Sequence, residues 1–372
     1  MAVCRAQQPT SIFQVVPTPD PQPVYDNYLF GASSSSASDI WAVGTTAIHY
    51  DGAAWTGYQL PGIDGVIGAE LFAVASLSPT NAWGVGTFLT SQTTTGNLQH
   101  WDGSQWSVVP NPPNAGTIVS SISAISADDI WAGPCVMGTL EHFNGTAWTG
   151  VRTPPTTPPE FCIEGLSALS TDDVWAVGWQ AQQNYNSTTL IMHWDGRSWS
   201  TVASPSVGTG PNQLNAVVAL TADNVWAVGF SMAVPPGNHL QPNRTLIEHW
   251  DGSSWTVVSS PNLDYGGQPR DNVLQCVVAL SASDLWAFGY LEANPSGESG
   301  DIFSLILHYD GTNWTVAPSP QPDRDPPLIN DPLYGGVVTG PGTLWLFGSQ
   351  QLDLSHPHTP PTGTLALYTT GG

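Results

Sequence analysis

Val225-Trp226-Ala227-Val228-Gly229, followed by His249-Trp250-Asp251-Gly252-Ser253-Ser254-Trp255, is the stretch whose reading decides the fold. Its first half is a short apolar strand closed by glycine. Its second half is a strand, an Asp-Gly turn and a new strand opening on Trp255. Asp-Gly between two apolar segments signals a hairpin, because glycine supplies the positive φ that tight turns need.

Both halves recur. The first returns around Trp41, Trp83, Trp131, Trp175, Trp286 and Trp345, making seven copies roughly 40 to 60 residues apart. That is the period of a four-stranded propeller blade. The second half begins at His49, His100, His142, His193, His249 and His308 and ends six residues later on tryptophan. Before each Trp phrase runs another apolar stretch ending in a polar turn, as in Ala216-Val217-Val218-Ala219 into Asp223-Asn224. Each unit thus supplies four strands: a before the polar turn, b with the Trp phrase, c with the histidine, and d from the second Trp. The seventh unit stops at Leu365-Ala366-Leu367-Tyr368 without a strand d, while Phe13-Gln14-Val15-Val16-Pro17 reads like Trp106-Ser107-Val108-Val109-Pro110. The expectation is an all-β, seven-bladed propeller over residues 12–372, closed by its N-terminal strand, with residues 1–11 as a tail.

Composition narrows the function. Six arginines, no lysine and 29 acidic residues give a formal net charge of -23. Such a field repels phosphate backbones and anionic membranes, which argues against nucleic-acid binding. No apolar run is long enough to span a bilayer. The low-charge, acid-rich composition suits an extracellular or cell-surface protein acting as a monomer. Four cysteines are too few for a disulfide framework. Cys135, at the end of strand b in unit three, and Cys162, entering unit four, are nevertheless placed to form a disulfide.

The repeats resemble those of kelch-like and tectonin-like propellers. Tyr309-Asp310-Gly311 with Trp314 is similar to the kelch pattern; Ile40-Trp41-Ala42-Val43, Ile48-His49, Gly52, Trp55 and Pro61-Gly62 are similar to a tectonin repeat. The tectonin resemblance implies carbohydrate binding, since such propellers include lectins.

The recurring His and Asp are read as structural, because a catalytic dyad is needed once and this pair recurs in most units. The repeated tryptophans are read as core. Specific chemistry is expected instead in the d–a and b–c loops, which vary between units while the other turns repeat. The ligand-binding candidates there are Trp179, Tyr185, Arg244, Tyr265, Arg270, Tyr290, Glu292, Arg324 and Tyr334: aromatic faces for stacking, with carboxylates and arginines for hydrogen bonds. No catalytic, metal or cofactor residues are assigned; Ca²⁺ is conceivable for the acidic loops, but no motif with alternate Asp ligands supports it. The expected function is a non-catalytic binding propeller for a glycan or protein ligand on the variable-loop face. The alternative is a glycoside hydrolase or lyase using carboxylates on that face. The innermost strands read as small and apolar, with few groups able to do acid–base work.

Overall fold

Twenty-eight strands fall into seven antiparallel groups of four in a computed structural model of the chain, which describes residues 12–21, 26–91, 93–111, 118–136, 139–156, 159–182, 186–232, 241–265, 268–292, 302–319, 331–351 and 362–370. In blade 5 the strands a to d are Asn212–Thr221, Asn224–Met232, Asn243–Trp250 and Trp255–Val257. Strands a of all seven blades line a central channel, so a is the innermost strand. Blade 7 takes strands a to c from Leu333–Gly340, Thr343–Gln351 and Thr362–Thr370, and its fourth strand is Phe13–Val16. Phe13 pairs with Thr369 and Val16 with Ala366, joining the two ends of the sequence in one sheet. The fold is the expected seven-bladed β-propeller.

Tryptophan holds neighbouring blades together. The strand-b Trp of each blade meets the strand-c and strand-d aromatics of the next: Trp131 lies 5.0 Å from Trp194 and 5.2 Å from Trp199. Trp175 lies 5.3 Å from Trp250 and 5.4 Å from Trp255. Edge-to-face arrangement lets the positive ring edge of one indole meet the negative face of another. At the closing junction Phe13 takes the place of the second Trp, edge-on to Trp286 at 5.4 Å. Trp345 then completes the circle against Trp55 of blade 1 at 5.3 Å.

The recurring histidines are structural members of blades 1 to 6, and Tyr368 takes the place against Trp345 in blade 7. Each histidine stacks on the strand-b Trp, as His49 does on Trp41 at 4.3 Å. Its Nε2 meets the first residue of strand b: Asp39 at 2.6 Å, Asp129 and Asp173 at 2.8 Å, and Asp284 at 2.9 Å, with Asn81 and Asn224 at 3.0 Å in blades 2 and 5. The c–d turn is locked locally. Asp251 Oδ1 accepts the N–H groups of Ser253 and Ser254 at 2.9 Å, and Gly252 takes φ +89. A side chain on Gly252 would also strike Asp223 of the a–b turn. These two turns therefore share one face, and the d–a and b–c connections share the other.

One irregularity is repeated in every blade. Near its start strand a carries a β-bulge, a single extra residue between Leu29 and Gly31, Leu71 and Ala73, Val119 and Ser121, Ile163 and Gly165, Leu214 and Ala216, Leu274 and Cys276, and Leu333 and Gly335. A bulge bends its strand and re-aims the extra side chain. The bend presses the backbone of strand a onto the glycine that closes the Trp phrase. A Cβ on Gly229 would stand 2.0 Å from the Gln213 carbonyl oxygen, and one on Gly178 would stand 1.8 Å from that of Cys162. The glycine of the repeat is thus a demand for space. Gly229→Ala is expected to cost about 1–3 kcal/mol, the range for overpacking a filled site. Gly62→Ala, whose Cβ would meet only a Val66 methyl at 3.9 Å, is the control. Urea midpoints of the two variants check this; equal midpoints would refute it.

Candidate functional site

The seven bulge residues form a ring at the variable-loop mouth of the central channel: Phe30, Phe72, Ser120, Glu164, Asn215, Gln275 and Tyr334 in blade order. All seven border a cavity of about 530 Å³. Below them the channel narrows to about 240 Å³. The next residues inward are Gly31, Ala73, Ser121, Gly165, Ala216, Cys276 and Gly335, small because adjacent strands a nearly touch; a Cβ on Gly165 would lie 2.9 Å from the Ala216 Cα.

The ring has two chemically distinct sides. Blades 7, 1 and 2 present Tyr334, Phe30 and Phe72 in succession, with Phe30 5.4 Å from Tyr334 and 5.9 Å from Phe72. Blades 3 to 6 present Ser120, Glu164, Asn215 and Gln275. This polar arc is wired together. Trp179 Nε1 donates to Glu164 Oε1 at 3.2 Å, and Gln213 Nε2 lies 3.3 Å from the same oxygen and 2.8 Å from Asn215 Oδ1. Asn215 Nδ2 donates to the Leu274 carbonyl at 2.7 Å. Gln275 is hydrogen-bonded to Tyr290, whose hydroxyl is pushed above its ordinary pKa by burial and by nearby Glu292 and Asp271. Burial likewise raises the Tyr334 hydroxyl. Burial raises Glu164 too, against the lowering effect of the Trp179 hydrogen bond.

The innermost strands offer few groups for acid–base work, but they are not bare of polar chemistry. They are small and apolar in the ladder, but the bulge residue escapes the ladder and carries the cavity's only carboxyl among the described lining residues, Glu164. Its signal was present: an aliphatic residue, a variable residue, then a small one, as in Ile163-Glu164-Gly165 and Leu274-Gln275-Cys276.

Of the residues chosen from the sequence, Tyr334 and Tyr290 line the cavity. Trp179 borders it through Glu164 and lines an adjoining groove. Arg244, Arg270 and Glu292 do not line the cavity. Arg244 pairs with Asp264 at 3.8 Å, both partly exposed, an arrangement of little energetic weight. Arg270 lies just before strand a of blade 6, and Glu292 at the end of its strand b opposite Asp271. Tyr185 and Arg324 lie outside the described residues, as does the side chain of Tyr265.

Cys135 and Cys162 are joined by a disulfide, their Cα atoms 3.9 Å apart and directly opposite each other. It stitches strand b of blade 3 to strand a of blade 4 at the cavity edge. The one group of His, Cys and carboxylate donors gathered tightly among the described residues is Cys135, Cys162 and Glu164. With both sulfurs in the disulfide, it offers a single carboxylate.

Comparison with known proteins places the architecture. A solved structure described as YCF48 bound to D1 peptide aligns over 97% of this chain and 98% of that one, at TM-score 0.58 and 15% identity. A PL25 ulvan lyase, a polysaccharide lyase bound to a GlcA–Rha3S unit, aligns over 96% of both chains, at TM-score 0.55 and 10% identity. What they share with this chain is the β-propeller. No protein-family model matches. A histidinol dehydrogenase from Nocardia farcinica (strain IFM 10152) is 25% identical over 124 residues, a match spanning 32% of this chain and 23% of that protein. No helix among the described residues is long and apolar enough to cross a membrane.

Proposed function

We propose that the protein is a non-catalytic binding propeller whose ligand, a neutral glycan, enters the central cavity of the variable-loop face. The observation that carries this reading is the two-sided ring: an aromatic arc of Tyr334, Phe30 and Phe72 facing an arc of Ser120, Glu164, Asn215 and Gln275. A sugar ring has the matching anatomy, an apolar C–H face and a rim of hydroxyls that both donate and accept. Amides do both as well, and the Glu164 carboxyl accepts. The net charge of -23, with no basic side chain among the described lining residues, disfavours an anionic ligand. A hydrolase or lyase working through a carboxylate pair has one described carboxyl to draw on at this cavity, which favours binding over cleavage.

The disulfide supports work in an oxidising setting, outside the cell or at its surface. In this reading the protein acts as a monomer and without a cofactor. The resemblance of the first repeat to tectonin units adds to the glycan assignment. A glycan array probed with purified protein, with and without Ca²⁺, tests it. Retention of neutral glycans is expected, and Tyr334→Ala should weaken it about fivefold or more while leaving the melting temperature nearly unchanged. Release of a shortened glycan would support the enzyme instead; retention that ignores Tyr334→Ala would move the site elsewhere.

A further inference from the structure

Seventeen tryptophans occur in the chain, and sixteen pack against another aromatic or histidine ring in the repeating inter-blade and intra-blade contacts. Trp179 is the exception: no aromatic ring of the described residues lies against it. It follows Gly178 on strand b of blade 4 (Asp173–Ala181), outside the repeated phrase, and is half-buried. Its indole is nevertheless fixed in orientation, because Nε1 donates to Glu164 Oε1 at 3.2 Å. An indole held by its nitrogen, with no ring of the described residues stacked on it, is prepared to receive one.

The space beside it is sized for that. A groove of about 570 Å³ is bordered by Trp179, Glu160, Gln182, Asn186 and Gln213. Its amides are positioned by hydrogen bonds of their own, Gln182 Nε2 to Thr188 Oγ1 at 3.2 Å and Asn186 Nδ2 to the Thr209 carbonyl at 2.9 Å. Gln213 borders both this groove and the central cavity. The two spaces therefore adjoin at Gln213, with the Trp179–Glu164–Gln213 hydrogen bonds between them.

We infer that the Trp179 groove is a second subsite continuous with the central cavity, so that the ligand is a linear neutral oligosaccharide of at least two units. One unit lies in the central ring, and the next stacks on Trp179 with its hydroxyls toward Gln182, Asn186 and Glu160. The inference rests on the glycan reading above and adds chain length to it. Stacking on a preoriented ring loses little freedom on binding, so the second unit adds affinity instead of merely occupying space.

The test is titration calorimetry of purified protein with neutral hexose series of one to four units, glucan, mannan and galactan, chosen by the array. The native protein is expected to bind a tetrasaccharide at least tenfold more tightly than the monosaccharide of the same series. Trp179→Ala should collapse that ratio toward one, and Trp179→Phe, which keeps a stacking face, should restore most of it. Melting curves exclude misfolding of the Ala variant, and the Phe variant carries the test if it occurs. Equal affinity along the series, or a length preference untouched by Trp179→Ala, overturns the second subsite while leaving the central site standing, provided Tyr334→Ala still weakens monosaccharide binding. Absence of binding to any of these sugars overturns both.

Discussion

Deleting residues 1–19 should lower the melting temperature by about 10 °C or more, although the segment carries no residue of the candidate site. Blade 7 would lose its outer strand and the four-residue ladder from Phe13–Thr369 to Val16–Ala366. It would also lose the Thr18–Thr364 hydroxyl contact at 2.7 Å. Phe13 is 3% exposed and packs in one cluster with Trp286, Phe288, Leu344 and Leu367. Removing such a side chain alone costs about 3–5 kcal/mol, so Phe13→Ala should reproduce much of the effect. Strand c of blade 7, Thr362–Thr370, would become a bare edge, so the truncated protein should also associate with itself. Calorimetry and light scattering read the two consequences. An unchanged melting curve would show that the ring does not depend on its closing strand.

The second large effect is expected from pH. Glu141 and Glu248 occupy equivalent places on strands c of blades 3 and 5, opposite Ala132 and Ala227. Both are almost wholly buried, and each has an Oε1 with no hydrogen-bond partner among the described residues. Burial pushes each from 4.5 to about 8. The folded pKa lies above the unfolded one. Below pH ~4.5 both states are protonated and this contribution to stability is fully present; it is lost as pH rises through about 8. At roughly 1.4 kcal/mol per pKa unit, the alkaline loss is on the order of 4–5 kcal/mol for each group. Asp331, raised to about 7 by burial, acts in the same direction. Asp102 and Asp251, held at about 2 by their turn hydrogen bonds, titrate below this window. Stability should therefore fall between pH 5 and 8.5, and the double variant Glu141→Gln, Glu248→Gln should lose more than half of the slope. Self-repulsion of the acidic surface also grows with pH, but the two glutamines scarcely relieve it. A slope undiminished by the substitutions would show that Glu141 and Glu248 do not carry it.

The architecture was legible because its determinants repeat. Trp-x-x-Gly, His-aromatic and Asp/Asn-Gly each answer one local demand, an inter-blade contact, a buried hydrogen bond and a positive φ, and six copies of each make the period plain. Closure was legible from the seventh unit's missing strand d and from Phe13-Gln14-Val15-Val16-Pro17, which reads like the other strands d with Phe in place of Trp. The site was only partly legible. Trp179 and Tyr290 stood out as aromatics beyond the repeated phrase, and Tyr334 as an aromatic in a variable connection. Glu164, Asn215 and Gln275 did not, because a strand reading assigns alternate residues to alternate faces. A bulge breaks that alternation, and its aliphatic, variable and small residues mark it only when the blades are compared with one another. The glycine of the following strand did carry the information, since its missing Cβ makes room for the bend.

The ring of bulges also separates what the scaffold must keep from what it can vary. Each bulge residue is unpaired in the ladder, and its side chain meets the cavity more than it meets its own sheet. One position per blade can therefore be rewritten while the tryptophans, glycines and histidines around it stay fixed. Duplicating or exchanging a blade carries one new letter into a seven-letter address at the axis. Tyr334, Phe30 and Phe72 beside Ser120, Glu164, Asn215 and Gln275 spell one such address. Propellers with the same repeats and a different spelling at these places would be expected to keep this frame and recognise other molecules.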